Sequence, residues 1–207
     1  MRGADQATLE FYSRESDRFR EPPGDRDWVA KYMRPFAAAL PGRRVLELGC
    51  GAGRDAAALI EFGLDVEATD GCAEVARVAE QRLSKPVRVM RFDELDASER
   101  YDGIWASATL LHVPRPDLVD VLSRVWRALV PRGMLYASFK TGKPEGRDKF
   151  GRYFNYPTED ELREFLVRAG KWKSIEFDMN SGYGSDQVMT DWLHCLAQKD
   201  ATPSSPA

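Results

Sequence analysis

The run Glu47-Leu48-Gly49-Cys50-Gly51-Ala52-Gly53 has the residue types of a ligand cradle. Glycines between a strand and a helix permit a tight turn and let a ligand approach the backbone. The first N–H groups of the helix that follows are left free to meet it. Asp70 stands twenty-one residues after Gly49, where a carboxylate can accept both hydrogen bonds of a ribose diol. Loop and acid together point to a nucleoside-bearing cofactor. A nucleoside triphosphate would need GxxxxGK followed by Ser or Thr, whereas Gly53 is followed by Arg54-Asp55. A dinucleotide would need GxGxxG. The spacing here is GxGxG, and Glu47 ahead of it would repel a pyrophosphate. The same carboxylate suits an ammonium. S-adenosylmethionine (SAM) carries an ammonium, a sulfonium and a ribose but no phosphate, and it fits this set best.

Other residues able to do chemistry follow the later strands. His112, in Leu110-Leu111-His112-Val113-Pro114, is either a proton acceptor at a substrate mouth or a satisfied group in the turn before Pro114. Trp105 ends an apolar run and is either core or cofactor wall. Arg54 opens a helix, where a cation opposes the dipole; this suits a carboxylate ligand or simple exposure. Residues 140–152 carry Lys140, Lys143, Arg147, Lys149 and Arg152 against Glu145 and Asp148. Such a run is commonly a solvated loop. Its place after a strand makes an anion-binding substrate loop the alternative, with Arg152 as a fork-shaped donor beside Tyr153 and Phe154. His194 sits in a predicted strand and is read as structural.

With 207 residues, the chain fits one large domain. Its net charge of -3 argues against nucleic-acid or anionic-membrane binding, which needs a basic face. No apolar run approaches the ~18 residues of a membrane span, and residues 1–20 lack a signal-peptide apolar stretch. A cytoplasmic location is the expectation, with a monomer or weak dimer as the assembly. Cys50, Cys72 and Cys195 form neither a disulfide framework nor a CxxC zinc pair, and only two histidines are present, so no metal is expected.

The pattern of the whole chain shows what must position these residues. Apolar positions at helical spacing predict a helix over 27–40, kinked at Pro35 and ended by Pro41-Gly42. Strands are predicted at 45–48, 65–69, 87–92, 101–107, 133–139, 172–179 and 187–198. Helices lie between them at 54–62, around Val75–Leu83, around Leu118–Leu129, and from a Thr158/Glu161 capping box through Ala169. This alternation predicts an α/β fold of Rossmann-like type. Its seven-stranded sheet is mostly parallel, with helices on both faces and an antiparallel C-terminal hairpin at one edge. Ligands of such sheets bind beyond the carboxyl ends of the strands. Residues 1–25, with Leu9, Phe11, Tyr12 and Phe19 before Pro22-Pro23-Gly24, read as a lid or arm. Residues 26–198 read as the domain and 199–207 as a flexible tail.

Five segments resemble class I SAM-dependent methyltransferases. They are Val45 to Gly53, Val66-Glu67-Ala68-Thr69-Asp70, Tyr101-Asp102-Gly103-Ile104-Trp105, Leu110-Leu111-His112-Val113-Pro114 and Leu129-Val130-Pro131-Arg132-Gly133-Met134-Leu135. Gly53-Arg54-Asp55 further resembles the bacterial tellurite-resistance branch. Pro131-Arg132-Gly133 departs from the usual Pro-Gly-Gly, in a turn away from the expected site. The resemblance implies that Gly49, Gly51 and Gly53 line the methionine part of SAM and that Glu47 lies near its ammonium. It puts Asp70 on the ribose, Gly71 and Cys72 beside the adenine, and Phe92 with Asp93 or Glu94 flanking the adenine. Trp105, Ala106 and Ser107 fall beside the sulfonium. Phe11, Tyr12 and Arg14 match a short helix that closes over the cofactor. His112, Arg147, Arg152 and Tyr153 are the expected acceptor-side residues. The implied activity is methyl transfer to a small molecule, and the basic 140–152 run, read as a substrate loop, would make that molecule anionic. A non-catalytic SAM-binding protein and an NAD(P)-dependent reductase are the alternatives.

Overall fold

The computed structural model of the chain describes residues 3–16, 29–184 and 187–201. Phe19, the Pro22-Pro23-Gly24 break, Asp27 and the tail past residue 201 lie outside the described residues.

Strand segments alternate with helical ones through most of the chain. The helices are α1 (Gln6–Arg14), α2 (Arg34–Ala39), α3 (Arg54–Glu61), α4 (Ala73–Leu83), α5 (Arg115–Ala128) and α6 (Glu159–Ala169). The strands are β1 (Arg44–Leu48), β2 (Asp65–Asp70), β3 (Arg88–Val89), β4 (Tyr101–Ala106), β5 (Leu129–Thr141), β6 (Gly146–Arg147), β7 (Tyr153–Phe154), β8 (Trp172–Tyr183) and β9 (Met189–Lys199). Seven strands form one sheet in the order β3-β2-β1-β4-β5-β9-β8. The first five are parallel, and β9 runs antiparallel to both β5 and β8. The expected Rossmann-like sheet with an edge hairpin is therefore present.

Both faces are covered. On one, Leu46, Ile104, Leu135 and Ala137 pack with Leu122 and Val125 of α5 and Leu162 of α6. Each such buried aliphatic side chain contributes about 1.5–3 kcal/mol. On the other, Val45, Trp105 and Tyr136 pack with Phe36 of α2 and Leu59 of α3. Across this second face, Ala68, Glu47, Trp105, Tyr136 and Leu196 are successive register partners. An acid thus stands in a row of core side chains.

Several boundaries differ from expectation. The helix predicted at 27–40 is a π-helical turn, Val29–Met33, followed by α2. Pro35 falls in the first turn of α2, where its missing N–H costs nothing. The third strand shrinks to two residues before a 3-10 turn at Phe92–Glu94. β5 begins at Leu129, so Pro131-Arg132-Gly133 lies within the strand, with Arg132 at φ 68°. The 140–152 segment holds β6, which pairs with β7, immediately after the segment, to form a small hairpin. Lys199, expected in the tail, is buried in β9 and donates from Nζ to the Leu129 carbonyl at 2.7 Å.

Candidate active site

The strand order reverses between β1 and β4, and ligands of such sheets bind beyond the carboxyl ends of the strands at this point. The glycine loop lies there. Gly49 has φ +65°, and a Cβ on it would overlap the Thr109 hydroxyl. Gly51 has φ +56°, yet a Cβ on it would meet nothing within 4 Å. The first glycine is required by the fold, and the second leaves open space above the loop. Asp70 fixes the loop: its two carboxylate oxygens accept from Gly51 N at 3.0 Å and Cys72 N at 2.9 Å. Burial outweighs these two bonds and pushes the Asp70 carboxyl up to about 6.

Glu47 is 2% exposed, and its Oε2 has no hydrogen-bond partner. Burial, then the neighbouring Asp55 and Asp70, hold its carboxyl well above the usual carboxylate range. Beside it, Asp55 accepts from Trp105 Nε1 at 2.9 Å and from Arg54 Nε at 3.3 Å. An orphaned buried carboxylate under an open glycine loop fits an ammonium-bearing ligand and not a pyrophosphate.

The remaining cofactor candidates fall in different places. Gly53 packs on Leu83 and Ala79 of α4, so it serves helix–helix contact. Gly71 lies under Leu9 of α1. Cys72 is buried, with its thiol donating to Glu74 at 3.2 Å. Phe92 is half-buried, and Asp93 accepts from Arg91 Nε at 3.1 Å. Arg14 is exposed and, with Gln6, Ser13, Gly71 and Cys72, borders an open groove of about 460 Å³. Ala106 is buried on the opposite face from Trp105. Trp105 is 0% exposed and stacks on Tyr136 at 3.8 Å. It is packed in the core and meets the first turn of α3 through Asp55.

On the acceptor side, α1 docks on the β6–β7 hairpin. Its N-cap Asp5 accepts from Thr8 N, and both Asp5 oxygens receive Arg147 at 3.0 and 2.7 Å. Burial opposes ionisation, but these hydrogen bonds prevail and hold Asp5 at about 2. Phe11 stacks on Phe150, and Tyr153 N donates to the Thr8 hydroxyl at 2.9 Å. Arg152 is 1% exposed. Its Nε and Nη2 donate to Asp148, its Nη1 donates to Tyr12 Oη at 3.2 Å, and Phe11 and Phe154 flank its plane. Arg147 and Arg152, expected on the acceptor side, each face a carboxylate of this chain, Asp5 and Asp148 respectively.

His112 is 9% exposed, in the 3-10 turn Leu110–His112. Its Nδ1 lies 2.7 Å from the Tyr153 carbonyl. A carbonyl only accepts, so Nδ1 carries the proton and Nε2 accepts from Tyr12 Oη at 3.0 Å. Burial, reinforced by Arg152, pushes His112 down to about 4, so the ring is neutral at about pH 7. Asn155 braces this turn, donating from Nδ2 to the Leu110 and Val113 carbonyls. The structure therefore brings Tyr12, His112, Arg152 and Tyr153 together. Sequence reasoning missed Asp55, Asn155 and Thr109. An indole N–H in a buried strand signals a nearby acceptor, but only the fold identifies it as Asp55.

Residues 45–133 match the methyltransferase domain family. The chain is 34% identical over 113 residues to protein-L-isoaspartate O-methyltransferase of Gloeobacter violaceus, covering 51% of this chain and 55% of that protein. It is 33% identical over 107 residues to ubiquinone biosynthesis O-methyltransferase of Xanthomonas campestris, covering 48% and 44%. The chain spans about half the length of these curated relatives. Among solved structures, 1,6-didemethyltoxoflavin-N1-methyltransferase of Burkholderia thailandensis, with its substrate and S-adenosylhomocysteine bound, superposes with a TM-score of 0.67. It is 26% identical, over 94% of this chain and 88% of that one. These matches support a class I SAM-dependent methyltransferase domain over residues 45–133, and solved neighbours of that kind carry S-adenosylmethionine or S-adenosylhomocysteine. The narrower likeness to the tellurite-resistance branch is not carried by these matches. Among the described residues, no helix is long and apolar enough to cross a membrane.

Proposed function

We propose that the chain transfers a methyl group from SAM to an N–H or O–H group of a small molecule. The observation that carries this reading is the orphaned, buried Glu47 Oε2 at the end of β1, leading into a glycine loop that is open at Gly51 and fixed by Asp70. When bound, the cofactor supplies an electrophilic methyl on a sulfonium.

Glu47 then takes the ammonium, Asp70 the ribose hydroxyls, and Gly49 and Gly51 line the methionine part. Gly71, Cys72 and Asp93 border the adenine. Alignment of nucleophile and methyl is the main thing the chain contributes, worth on the order of 7 kcal/mol. Helix α1 covers the site and excludes water, held by Arg147 through Asp5 and by Arg152 through Tyr12.

As the acceptor atom forms its new bond, its proton becomes acidic, and a weak base suffices to take it. His112 Nε2 is that base, reached through the Tyr12 hydroxyl, while Tyr153 O holds the other ring nitrogen. Arg147 and Arg152 hold the lid and do not bind the acceptor. The relatives' names include an O-methyltransferase of ubiquinone biosynthesis and an N1-methyltransferase, which supports an acceptor arriving with a proton.

Incubation with methyl-labelled SAM and a panel of small phenols, alcohols and amines tests the reading. Label on an N or O atom, with one S-adenosylhomocysteine per methyl, is the expected result. Tight SAM binding with no turnover across the panel would favour a non-catalytic binding protein.

A further inference from the structure

Trp105 and Glu47 are direct register partners on β4 and β1, so their side chains share one face of the sheet. Asp55, 7% exposed in the first turn of α3, covers both. One Asp55 oxygen is fixed by the indole N–H at 2.9 Å, the other by Arg54 Nε at 3.3 Å. Glu47 receives the Ala56 backbone N–H and keeps Oε2 unpartnered in the core. Both acids are buried, and the Asp55 charge opposes ionisation of Glu47. We propose that Glu47 and Asp55 form a buried acid pair in which Glu47 keeps its proton in the cofactor-free chain, against the charge of Asp55, and surrenders it when the cofactor's α-ammonium enters, with Trp105 the positioning residue that fixes Asp55.

This rests on the cofactor reading above and extends it to Asp55 and Trp105. The charged groups facing Glu47 are Asp55 and Arg54 from α3 and Asp70 from β2, with the Cys50 thiol in the loop. Burial is the largest influence on Glu47, followed by Asp55 and then Asp70; the Ala56 N–H and Arg54 act the other way. The balance is simple. The neutral carboxyl loses a proton to solvent, the incoming ammonium keeps its own, and the site ends with two carboxylates around a cation. Asp70, held at about 6, is mostly ionised at about pH 6.5 and releases only a minor fraction of a proton.

The test is calorimetric titration of the intact chain with S-adenosylhomocysteine, whose amine is cationic at about pH 6.5. It is run in buffers of low and high ionisation enthalpy, across a range of pH. Release of about one proton per ligand is expected from the wild type. Asp55→Asn, which keeps the shape and can still accept from Trp105, should shift the release profile to lower pH by about a unit. Trp105→Phe keeps the stack on Tyr136 but frees Asp55, and should weaken binding about tenfold. Binding without buffer dependence in the wild type, or an unshifted profile in Asp55→Asn, would overturn the acid pair while leaving the cofactor assignment standing. An Asp55→Asn shift with unchanged affinity in Trp105→Phe would remove Trp105 from the proposal. Absence of any binding would contradict the cofactor reading, and the acid pair with it.

Discussion

The Tyr12 hydroxyl lies 3.0 Å from Nε2 of His112, joining the N-terminal helix to the turn after β4. Under the proposed function, this contact makes α1 part of the proton path as well as a cover. Tyr12→Phe keeps the ring packed against His112 and Arg152 but removes the relay, together with the Arg152 Nη1 hydrogen bond to the hydroxyl. The kcat should fall about 10–100-fold with SAM affinity nearly unchanged. Steady-state kinetics on any accepted substrate check this, and an unchanged kcat would remove Tyr12 from the path.

His112 also makes stability depend on pH. Its proton is held at about 4 in the folded chain, against 6.5 ordinarily. Between those values the unfolded chain binds a proton that the folded chain does not. Stability therefore falls as pH drops through this window, by about 1.4 kcal/mol per pH unit at the steepest. His194, also held at about 4 by burial, acts in the same direction. Asp70 acts oppositely: held at about 6 against 3.8, it gains its proton first in the folded chain and adds stability as pH falls through that range. His112→Gln isolates the first effect. The wild type's advantage in urea unfolding should shrink by about 3 kcal/mol between about pH 7 and pH 4. A gap independent of pH would contradict a neutral buried ring.

Arg147 grips the N-cap of α1 with both arms of its guanidinium. The pair is half-exposed, so it is worth no more than about 1 kcal/mol to global stability. Arg147→Ala should leave the melting temperature within a few degrees and yet raise KM for SAM several-fold, because α1 is released from the hairpin. Limited proteolysis within α1 should accelerate in parallel. Unaltered KM and proteolysis would show that α1 is held by its aromatic contacts alone.

Gly49 and Gly51 sit two residues apart and should fail differently. At Gly49, a Cβ would overlap the Thr109 hydroxyl in a left-handed backbone. Gly49→Ala should cost about 2 kcal/mol or more of stability, measured by urea unfolding. A fully stable variant would show that Thr109 gives way.

The sequence was most legible where the period is strict and the chemistry local. Val45 to Gly53 announced both β1 and its loop, and the Thr158/Glu161 box announced α6, which its reciprocal bonds confirm. Arg152 shows the opposite case. A cation after a strand looks available to substrate, and only the fold reveals Asp148 four residues earlier turning back onto it. Asp55 looked like an ordinary first-turn acid. Its meaning comes from Trp105, fifty residues away in sequence and adjacent in space. Short elements such as β6 and β7 carry too few residues to show a period, so the hairpin that anchors α1 had no sequence signature.

The account stands most directly on what the glycine loop holds. Titration calorimetry of the wild type and Gly51→Val with SAM and with NADH measures it. A Cβ at Gly51 meets no protein atom within 4 Å, so the variant should stay folded, with strain on the order of 1–2 kcal/mol from its left-handed backbone. The wild type should bind SAM and ignore NADH, and Gly51→Val should lose SAM while keeping the wild-type circular dichroism. NADH binding that SAM cannot displace, or full SAM affinity in folded Gly51→Val, would contradict the assignment of this loop.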